Sequence, residues 1–105
     1  MPKDLEGEIA QAFDNLSTVI LSTIDQSQYP VQRERGKALS AWDYVVKITS
    51  YHVNLSQNRP ALRDIMVRML KERFPNHPPL FTMVGIESLP LEENNVEIEA
   101  QVVLR

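Results

Sequence analysis

Tyr44-Val45-Val46-Lys47-Ile48-Thr49-Ser50-Tyr51-His52-Val53 is the part of the sequence around which the remaining elements can be arranged. The run is rich in β-branched and aromatic residues, which favour the pleated, half-buried surface of a sheet. Ser40-Ala41-Trp42-Asp43, just before it, has the form of a capping box. We therefore predict a short helical turn that leads into a strand over about 44–53.

Two helices are predicted on either side of this strand. The first runs from about Leu5 to Thr23, where apolar residues recur at spacings of three and four. Its predicted stripe contains Leu5, Ile9, Ala12, Phe13, Leu16, Val19 and Ile20. The second begins near Pro60, whose missing N–H is tolerated at a first helical position, and stops at Pro75. Its predicted buried stripe contains Leu62, Ile65, Met66, Met69, Leu70 and Phe74.

The segment between the first helix and the capping box is predicted to be a loop over residues 24–40. It contains Gln26, Ser27, Tyr29-Pro30 and Gly36, which are typical loop residues. Loops of this length in compact domains tend to be functional or mobile. An alternative interpretation extends a helix through Val31–Leu39.

Two further strands, Leu80–Ile86 and Val96–Leu104, are predicted near the end of the chain. In the second, Val96, Ile98, Ala100, Val102 and Leu104 fall on one face and Glu97, Glu99, Gln101 and Val103 on the other. The order is therefore α-β-α-β-β. Helices on one face of such a sheet make the fold class α+β.

The sheet face turned away from the helices is expected to combine apolar and acidic residues. On this interpretation Phe81 and Met83 lie beside Glu97 and Glu99. Such a mixture is typical neither of a core nor of a solvated surface. It indicates an interface or the wall of a cleft.

Composition limits the class of protein. The chain has 105 residues, which predicts a single domain over 1–105, and 43% of them are apolar. It has no cysteine, so disulfides, thiolate zinc sites and thiol nucleophiles are excluded. No apolar run is long enough to span a bilayer, and we expect a soluble, cytoplasmic protein. The net charge of −3 and the scattered cations disfavour nucleic-acid binding.

Few side chains suit metal or nucleophilic chemistry. His52 and His77 are the only imidazoles, and neither has a carboxylate at ligand spacing, so no metal site is predicted. Ser40, Ser50 and Ser56 lie in no nucleophile elbow, which argues against a serine hydrolase.

Four motifs, in the same order, resemble those of the reactive intermediate deaminase (Rid, or YjgF-type) family, also known as L-PSP endoribonuclease-like proteins. Residues 42–53 resemble its "D-V-V-K-x-T-x-Y" strand, and residues 73–79 resemble its "F-F-P-x-x-P-P" helix end. Residues 82–90 are similar to its "R-S/T-x-V-x-V…L-P" segment, and residues 96–100 match its closing "V-E-I-E-A". Residues 4–16 also look like the family's first helix. The resemblance covers nearly the whole chain.

The resemblance implies a chorismate-mutase-like (YjgF-type) fold that assembles as a homotrimer with ligand clefts between subunits. The implied activity is hydrolysis of reactive enamines or imines to a carbonyl compound and ammonia, without cofactor or metal. The family's glutamate, thought to orient water, corresponds to Glu97. The family's substrate-binding segment corresponds to Phe81, Thr82 and Met83. Met83 stands at a position that is often cysteine in the family.

Two departures from the family pattern stand out. Phe81 occupies the position of the arginine that grips the substrate carboxylate, and phenylalanine offers neither charge nor donor. The chain also begins almost at the first helix, without the family's opening strands. Three strands alone would leave an exposed edge, and we expect another subunit to cover it unless the chain is a truncated product.

Three functions follow as hypotheses. The first is hydrolysis of an imine or enamine that lacks the usual carboxylate, with Glu97 as general base or water-positioning group. The second is a non-catalytic module for small-molecule binding or assembly on the same trimeric scaffold. The third, ribonuclease activity, is the weakest because the chain is acidic and has no basic groove.

Overall fold

The computed structural model describes residues 5–27, 40–91 and 93–104. In chain order its elements are helix α1 (Leu5–Ser27), a 3-10 helix (Ala41–Tyr44), strand β1 (Val45–Val53), helix α2 (Leu55–Arg73), strand β2 (Leu80–Ile86) and strand β3 (Val96–Val102). The predicted α-β-α-β-β order and the α+β class are confirmed.

β1 is the central strand of the sheet, whose order is β2-β1-β3. It pairs in parallel with β2 and antiparallel with β3. Parallel neighbours need a long crossover, and α2 supplies it. The register between β1 and β3 shifts between Val45 and Lys47, which marks a β-bulge at the start of β1.

The core lies between the two helices and the face of the sheet that carries Ile48. Ile9 and Phe13 of α1 and Ile48 of β1 are fully buried. From α2, the buried side chains are Leu62, Met66, Met69 and Leu70, in agreement with the predicted stripe. Val19, which the predicted stripe of the first helix included, lies outside the core, because the residue is 59% exposed.

The first helix is longer than predicted. α1 continues to Ser27, so residues 24–27 belong to the helix and not to the loop. Ile24 is buried one turn after Ile20 and extends the apolar stripe, which explains the longer helix. The rest of the predicted loop, with its alternative helix over Val31–Leu39, lies outside the described residues.

The second helix also begins earlier than predicted, at Leu55, and Pro60 lies inside it. Asn54 precedes the helix in the left-handed region, with φ of 60°, and reverses the chain after β1. Its carbonyl oxygen accepts the amides of Gln57 and Asn58 at 3.1 and 3.2 Å. This closed turn starts the helix ahead of the proline.

The start of β1 and the end of β3 also differ from the predicted strand boundaries. Tyr44 belongs to the 3-10 helix, so β1 begins at Val45. β3 ends at Val102, two residues before the predicted end. β2 has the predicted bounds.

A row of aromatic rings ties the 3-10 helix to both long helices. Trp42 packs between Phe13 and Phe74, with ring centroids 5.8 and 5.6 Å apart, and Phe74 continues to His77 at 5.6 Å. The guanidinium carbon of Arg73 lies 4.7 Å from the centre of the Phe13 ring, a cation–π arrangement. The end of α2 is therefore held against α1.

Glu8 fastens α1 to the start of β3. Its carboxylate accepts the backbone amides of Asn95 and Val96 at 2.6 and 3.1 Å, and the Asn95 side-chain amide at 3.0 Å. Hydrogen bonds to an ionised, half-buried carboxylate are among the stronger ones in proteins. The contact joins elements that are far apart in the sequence.

Replacing Glu8 by alanine removes these hydrogen bonds and leaves two backbone amides and the Asn95 side-chain amide without their acceptor. We expect Glu8→Ala to lower the free energy of unfolding by about 2 kcal/mol in urea titrations. Glu6→Ala is the matched control, because the contact of the Glu6 side chain within the described residues is an exposed ion pair with Arg68. The control should change stability by less than about 1 kcal/mol. Equal effects of the two variants would contradict the role given to Glu8.

Candidate functional site

The register of β1 determines which face of the sheet each predicted site residue occupies. Phe81 of β2 and Ala100 of β3 both pair with Ile48 of β1, and Met83 pairs with Ser50. Paired residues share a face, and the face of Ile48 and Ser50 is the one covered by the helices. Phe81 and Met83 accordingly pack against the core. The prediction that they lie beside Glu97 and Glu99 is wrong.

The opposite face of the sheet contains Thr82 and both glutamates. In one row Thr82 pairs with Thr49 and Thr49 with Glu99; in the next row Val84 pairs with Tyr51 and Tyr51 with Glu97. We call this the open face, and its residues are Lys47, Thr49, Tyr51, Leu80, Thr82, Val84, Glu97, Glu99 and Gln101. Of the four predicted site residues, the fold brings Thr82 and Glu97 to this face.

Tyr51 and Glu99 form the defining contact of the open face. The Tyr51 hydroxyl donates a hydrogen bond of 2.8 Å to Oε1 of Glu99. This hydrogen bond raises the pKa of the Tyr51 phenol, and desolvation and the negative charges of Glu99 and Glu97 raise it further. The phenol therefore stays protonated and holds the Glu99 carboxylate in place.

Glu97 lies next to this pair and is free to meet a ligand. It is exposed, and within the described ranges no Lys, Arg or His side chain lies within 4.0 Å of the carboxylate of Glu97 or Glu99. The open face carries these two carboxylates and one cation, Lys47, so its net charge is negative. Such a face attracts a cation and repels an anion.

Thr49 lies between the two outer strands of the open face. Its side chain is only 8% exposed, and its hydroxyl has no side-chain hydrogen bond to the part of the chain described. A hydroxyl in this position can donate to, or accept from, a small molecule held above the sheet. Tyr51 and Thr49 were not predicted as site residues. Their alternation with Ile48 and Ser50 was the signal that could have found them.

The helix side of β1 contains a second polar pair, which lies entirely inside the protein. Nε2 of His52 is 2.7 Å from Oγ of Ser50, and both side chains are fully buried. Nδ1 of His52 has no partner among the described residues. Desolvation lowers the pKa of His52, so its imidazole is neutral in the folded protein.

The described residues contain no metal-binding cluster and no membrane-spanning helix, but they do form a surface groove on α2. Among residues 5–27, 40–91 and 93–104, no group of three His, Asp or Glu side chains could hold a metal ion. No described helix is long and apolar enough to cross a membrane. A groove of about 480 Å³ is lined on α2 by Arg63, Asp64, Val67, Arg68, Lys71 and Glu72. These residues lie away from the sheet and include none of the predicted site residues.

Comparisons with known proteins concern the fold. No protein-family model matches the sequence, and no curated protein matches it. Several solved structures superpose over 100% of the chain. They include a Vibrio vulnificus CMCP6 protein described as a candidate translation initiation inhibitor (TM-score 0.68, 23% identity, 68% of that chain covered), yeast Mmf1 (0.70, 19%, 67%) and E. coli TdcF with bound serine (0.69, 18%, 68%).

The likeness to these structures is strong in shape and weak in sequence. It shows that the chain has the α+β, chorismate-mutase-like (YjgF-type) fold that the sequence motifs predict. The chain accounts for about two-thirds of each of these three structures.

The assignment of faces can be tested by introducing an arginine on each side of β2. Phe81→Arg forces a charge against the core and is expected to lower the free energy of unfolding by about 2 kcal/mol or more. Thr82→Arg, the matched variant one residue away, points to the open face and should change stability by less than about 0.5 kcal/mol. Urea titration measures both. A larger loss in Thr82→Arg would reverse the assignment.

Burial of neutral His52 also predicts how stability depends on pH. Its folded-state pKa lies below the ordinary value of 6.5, so the unfolded chain binds the additional proton. The stability that this contributes is complete above about pH 6.5 and is lost as the pH falls towards the folded-state pKa. We expect His52→Asn to reduce the slope of unfolding free energy against pH below about 6.5. An unchanged slope in His52→Asn would contradict the assignment.

Proposed function

We propose that this chain belongs to the reactive intermediate deaminase (Rid, or YjgF-type) family and hydrolyses a neutral or cationic imine or enamine. The products are a carbonyl compound and ammonia. The observation that carries the proposal is the open face, where Glu97 lies beside the Tyr51–Glu99 pair and no Lys, Arg or His side chain of the described residues lies within 4.0 Å of either carboxylate. The negative charge of the open face also explains why a neutral or cationic substrate is preferred to an anionic one.

Membership of the family is supported by two independent observations. The four motifs occur in the family's order along nearly the whole sequence. The fold matches structures that include TdcF and Mmf1. Fold alone does not assign an activity, so the chemistry has to be argued from the open face.

Glu97 is the general base in the proposed reaction. It takes a proton from water as the water oxygen bonds to the imine carbon, and the π electrons of the C=N bond move to nitrogen, which is protonated. The resulting carbinolamine breaks its C–N bond, the oxygen loses its proton to form the carbonyl, and nitrogen leaves as ammonia. The reaction consumes one water and requires no redox partner.

The Tyr51–Glu99 pair has an electrostatic role in this proposal. The hydrogen bond from Tyr51 fixes the Glu99 carboxylate in one position, so its charge faces the open side of the sheet. A fixed negative charge stabilises a protonated, cationic imine without reorganising during the reaction. Thr82 and Thr49 supply hydroxyl groups in the neighbouring row.

The substrate is expected to lack a carboxylate. TdcF was crystallised with serine, a ligand that has one. In this chain the position of the family's arginine is Phe81, which packs against the core, and the open face carries Glu97 and Glu99. Repulsion from these two charges disfavours an iminoacid and favours a neutral or positively charged imine.

Assembly as a homotrimer, with ligands between subunits, belongs to the same proposal. Leu80 on the open face is 72% exposed, and Val84 is half-buried on the same strand. Apolar side chains beside the acidic residues suit a face that a second subunit partly covers. A shared cleft would also exclude water from the reacting groups.

The alternative is a non-catalytic module that binds a small molecule or supports assembly on the same trimeric scaffold. One observation favours it: Phe81 removes the charged fork from the predicted substrate position. It predicts ligand binding without ammonia release.

The test of the catalytic proposal is the effect of Glu97→Gln on ammonia release from a freshly generated neutral imine. The substitution keeps the shape of the side chain and removes the base, so kcat/KM should fall by about 10²- to 10⁴-fold. Glu93→Gln, an exposed loop glutamate, is the control and should leave the rate unchanged. Turnover by Glu97→Gln equal to that of the unchanged chain would remove Glu97 from the mechanism.

A further inference from the structure

The exposed side of α2 carries an excess of positive charge. The helix contains five of the chain's eleven Lys and Arg residues and two acidic residues, which gives it a net charge of +3 in a chain whose net charge is −3. Helix α1, which is joined to it by an ion pair, contains four acidic residues and no Lys or Arg. Among the described residues, Lys47 is the one Lys or Arg outside α2. The positive charge is therefore concentrated on one helix.

Two of the five cations on α2 are engaged within the molecule. Arg68 and Arg73 form ion pairs with acidic residues of α1. Arg59, Arg63 and Lys71 are exposed, and none of them has a carboxylate within 4.0 Å in the described part of the chain. The charge of these three side chains is available to another molecule.

The three available cations lie in one row along α2. Together with Val67 they are spaced four residues apart, and residues at this spacing are neighbours on a helix surface. The row is about 18 Å long, because a helix rises 1.5 Å per residue. Val67, which is 36% exposed, places one apolar side chain among the cations. We call Arg59, Arg63, Val67 and Lys71 the basic row.

The groove on α2 follows the same part of the helix. Three members of the basic row line it, together with residues of the adjacent row that include Asp64 and Glu72. The surface therefore offers cations, one apolar side chain and two flanking carboxylates along about three helical turns.

We propose that the basic row docks an amphipathic helix of a partner protein, with acidic side chains opposite the three cations and one apolar side chain opposite Val67. A helix repeats its side chains at the same spacing of four, so its carboxylates can lie beside the three cations in turn. The contact at Val67 sets the register. A shift of one turn would place the partner's apolar residue against Arg63 or Lys71 and a carboxylate against Val67.

A nucleic acid fits the basic row poorly. Its backbone carries a negative charge at every nucleotide, and Asp64 and Glu72 lie beside the row in the groove. A phosphate chain also has no apolar group to set against Val67. A protein helix can supply the apolar residue and can place a Lys or Arg opposite the two flanking carboxylates, so the surface favours a protein.

The position of the basic row is compatible with the trimer of the proposed function. α2 packs on the side of the sheet that carries Ile48, and the open face is the other side. Assembly through the open face leaves the outer side of α2 uncovered. Each subunit can therefore bind one helix at the basic row, separately from the reaction at the open face.

The first test measures the binding of fluorescently labelled synthetic peptides by anisotropy. The probes are two alanine-rich helical peptides with three glutamates and one leucine at spacings of four, ordered for parallel and for antiparallel docking on the basic row. A scrambled peptide of the same composition is the control. One of the two ordered peptides should bind with a dissociation constant at least about tenfold lower than that of the scrambled peptide.

The second test changes single residues of the protein and repeats the measurement with the tighter peptide. Arg63→Glu should weaken binding about tenfold, because it replaces an attraction by a repulsion. Lys47→Glu makes the same change in net charge on the open face and should alter binding by less than about twofold. Val67→Asn should weaken binding about fivefold through loss of the apolar contact. Circular dichroism confirms that each variant is folded.

Four outcomes would overturn the docking of an acidic helix. They are no binding of either ordered peptide at about 1 mM, equal binding of the scrambled peptide, and equal weakening by Arg63→Glu and Lys47→Glu. The fourth is tighter binding of a single-stranded oligouridylate that is unaffected by Val67→Asn, which would assign the basic row to nucleic acid. None of these readouts involves ammonia release, so they leave the proposed function untouched.

Discussion

The register of β1 against its two neighbours is the constraint on which the other features of the molecule depend. β1 is central, so each of its side chains fixes the face of one residue in β2 and one in β3. A slip of one residue would move Ile48 out of the core and Tyr51 into it. Ile48 is fully buried and Tyr51 bonds to Glu99 on the other face, so both faces hold the strand in place.

The same register separates two kinds of polar chemistry that are only a residue apart in the sequence. On the helix side, Ser50 and Nε2 of His52 bond to one another inside the core, and both side chains are closed to solvent. On the open side, Tyr51 fixes Glu99 and leaves Glu97 available. A reacting molecule can reach only the second set. The buried pair affects stability instead, because protonating the desolvated imidazole of His52 costs free energy.

The element order and the α+β class could be predicted from the sequence because each element has its own signal. β3 was assigned to the correct faces because apolar and polar residues alternate along it. β2 could not be treated in this way, since Leu80, Val84 and Ile86 are as apolar as Phe81 and Met83. Its orientation depends on pairing with β1, which the local pattern does not contain. That is why Phe81 and Met83 were placed on the wrong face.

Long-range contacts account for the remaining differences. The hydrogen bonds from Asn95 and Val96 to Glu8 join residues at opposite ends of the chain. The early start of α2 depends on the left-handed Asn54, whereas the proline signal at Pro60 pointed five residues further on. For the site, the motif resemblance identified Glu97 and Thr82. Tyr51 and Thr49 emerged only when the three strands were placed side by side.

The relative rates of ammonia release from a neutral imine and from a carboxylate-bearing imine test the central claim most directly. An electronegative open face, with Phe81 turned into the core, predicts that the folded protein accelerates the neutral imine and leaves the carboxylate-bearing one near its uncatalysed rate. Preference for the carboxylate-bearing imine would contradict this electrostatic description. If protein shown to be folded accelerates ammonia release from neither imine, the result would instead favour the non-catalytic module.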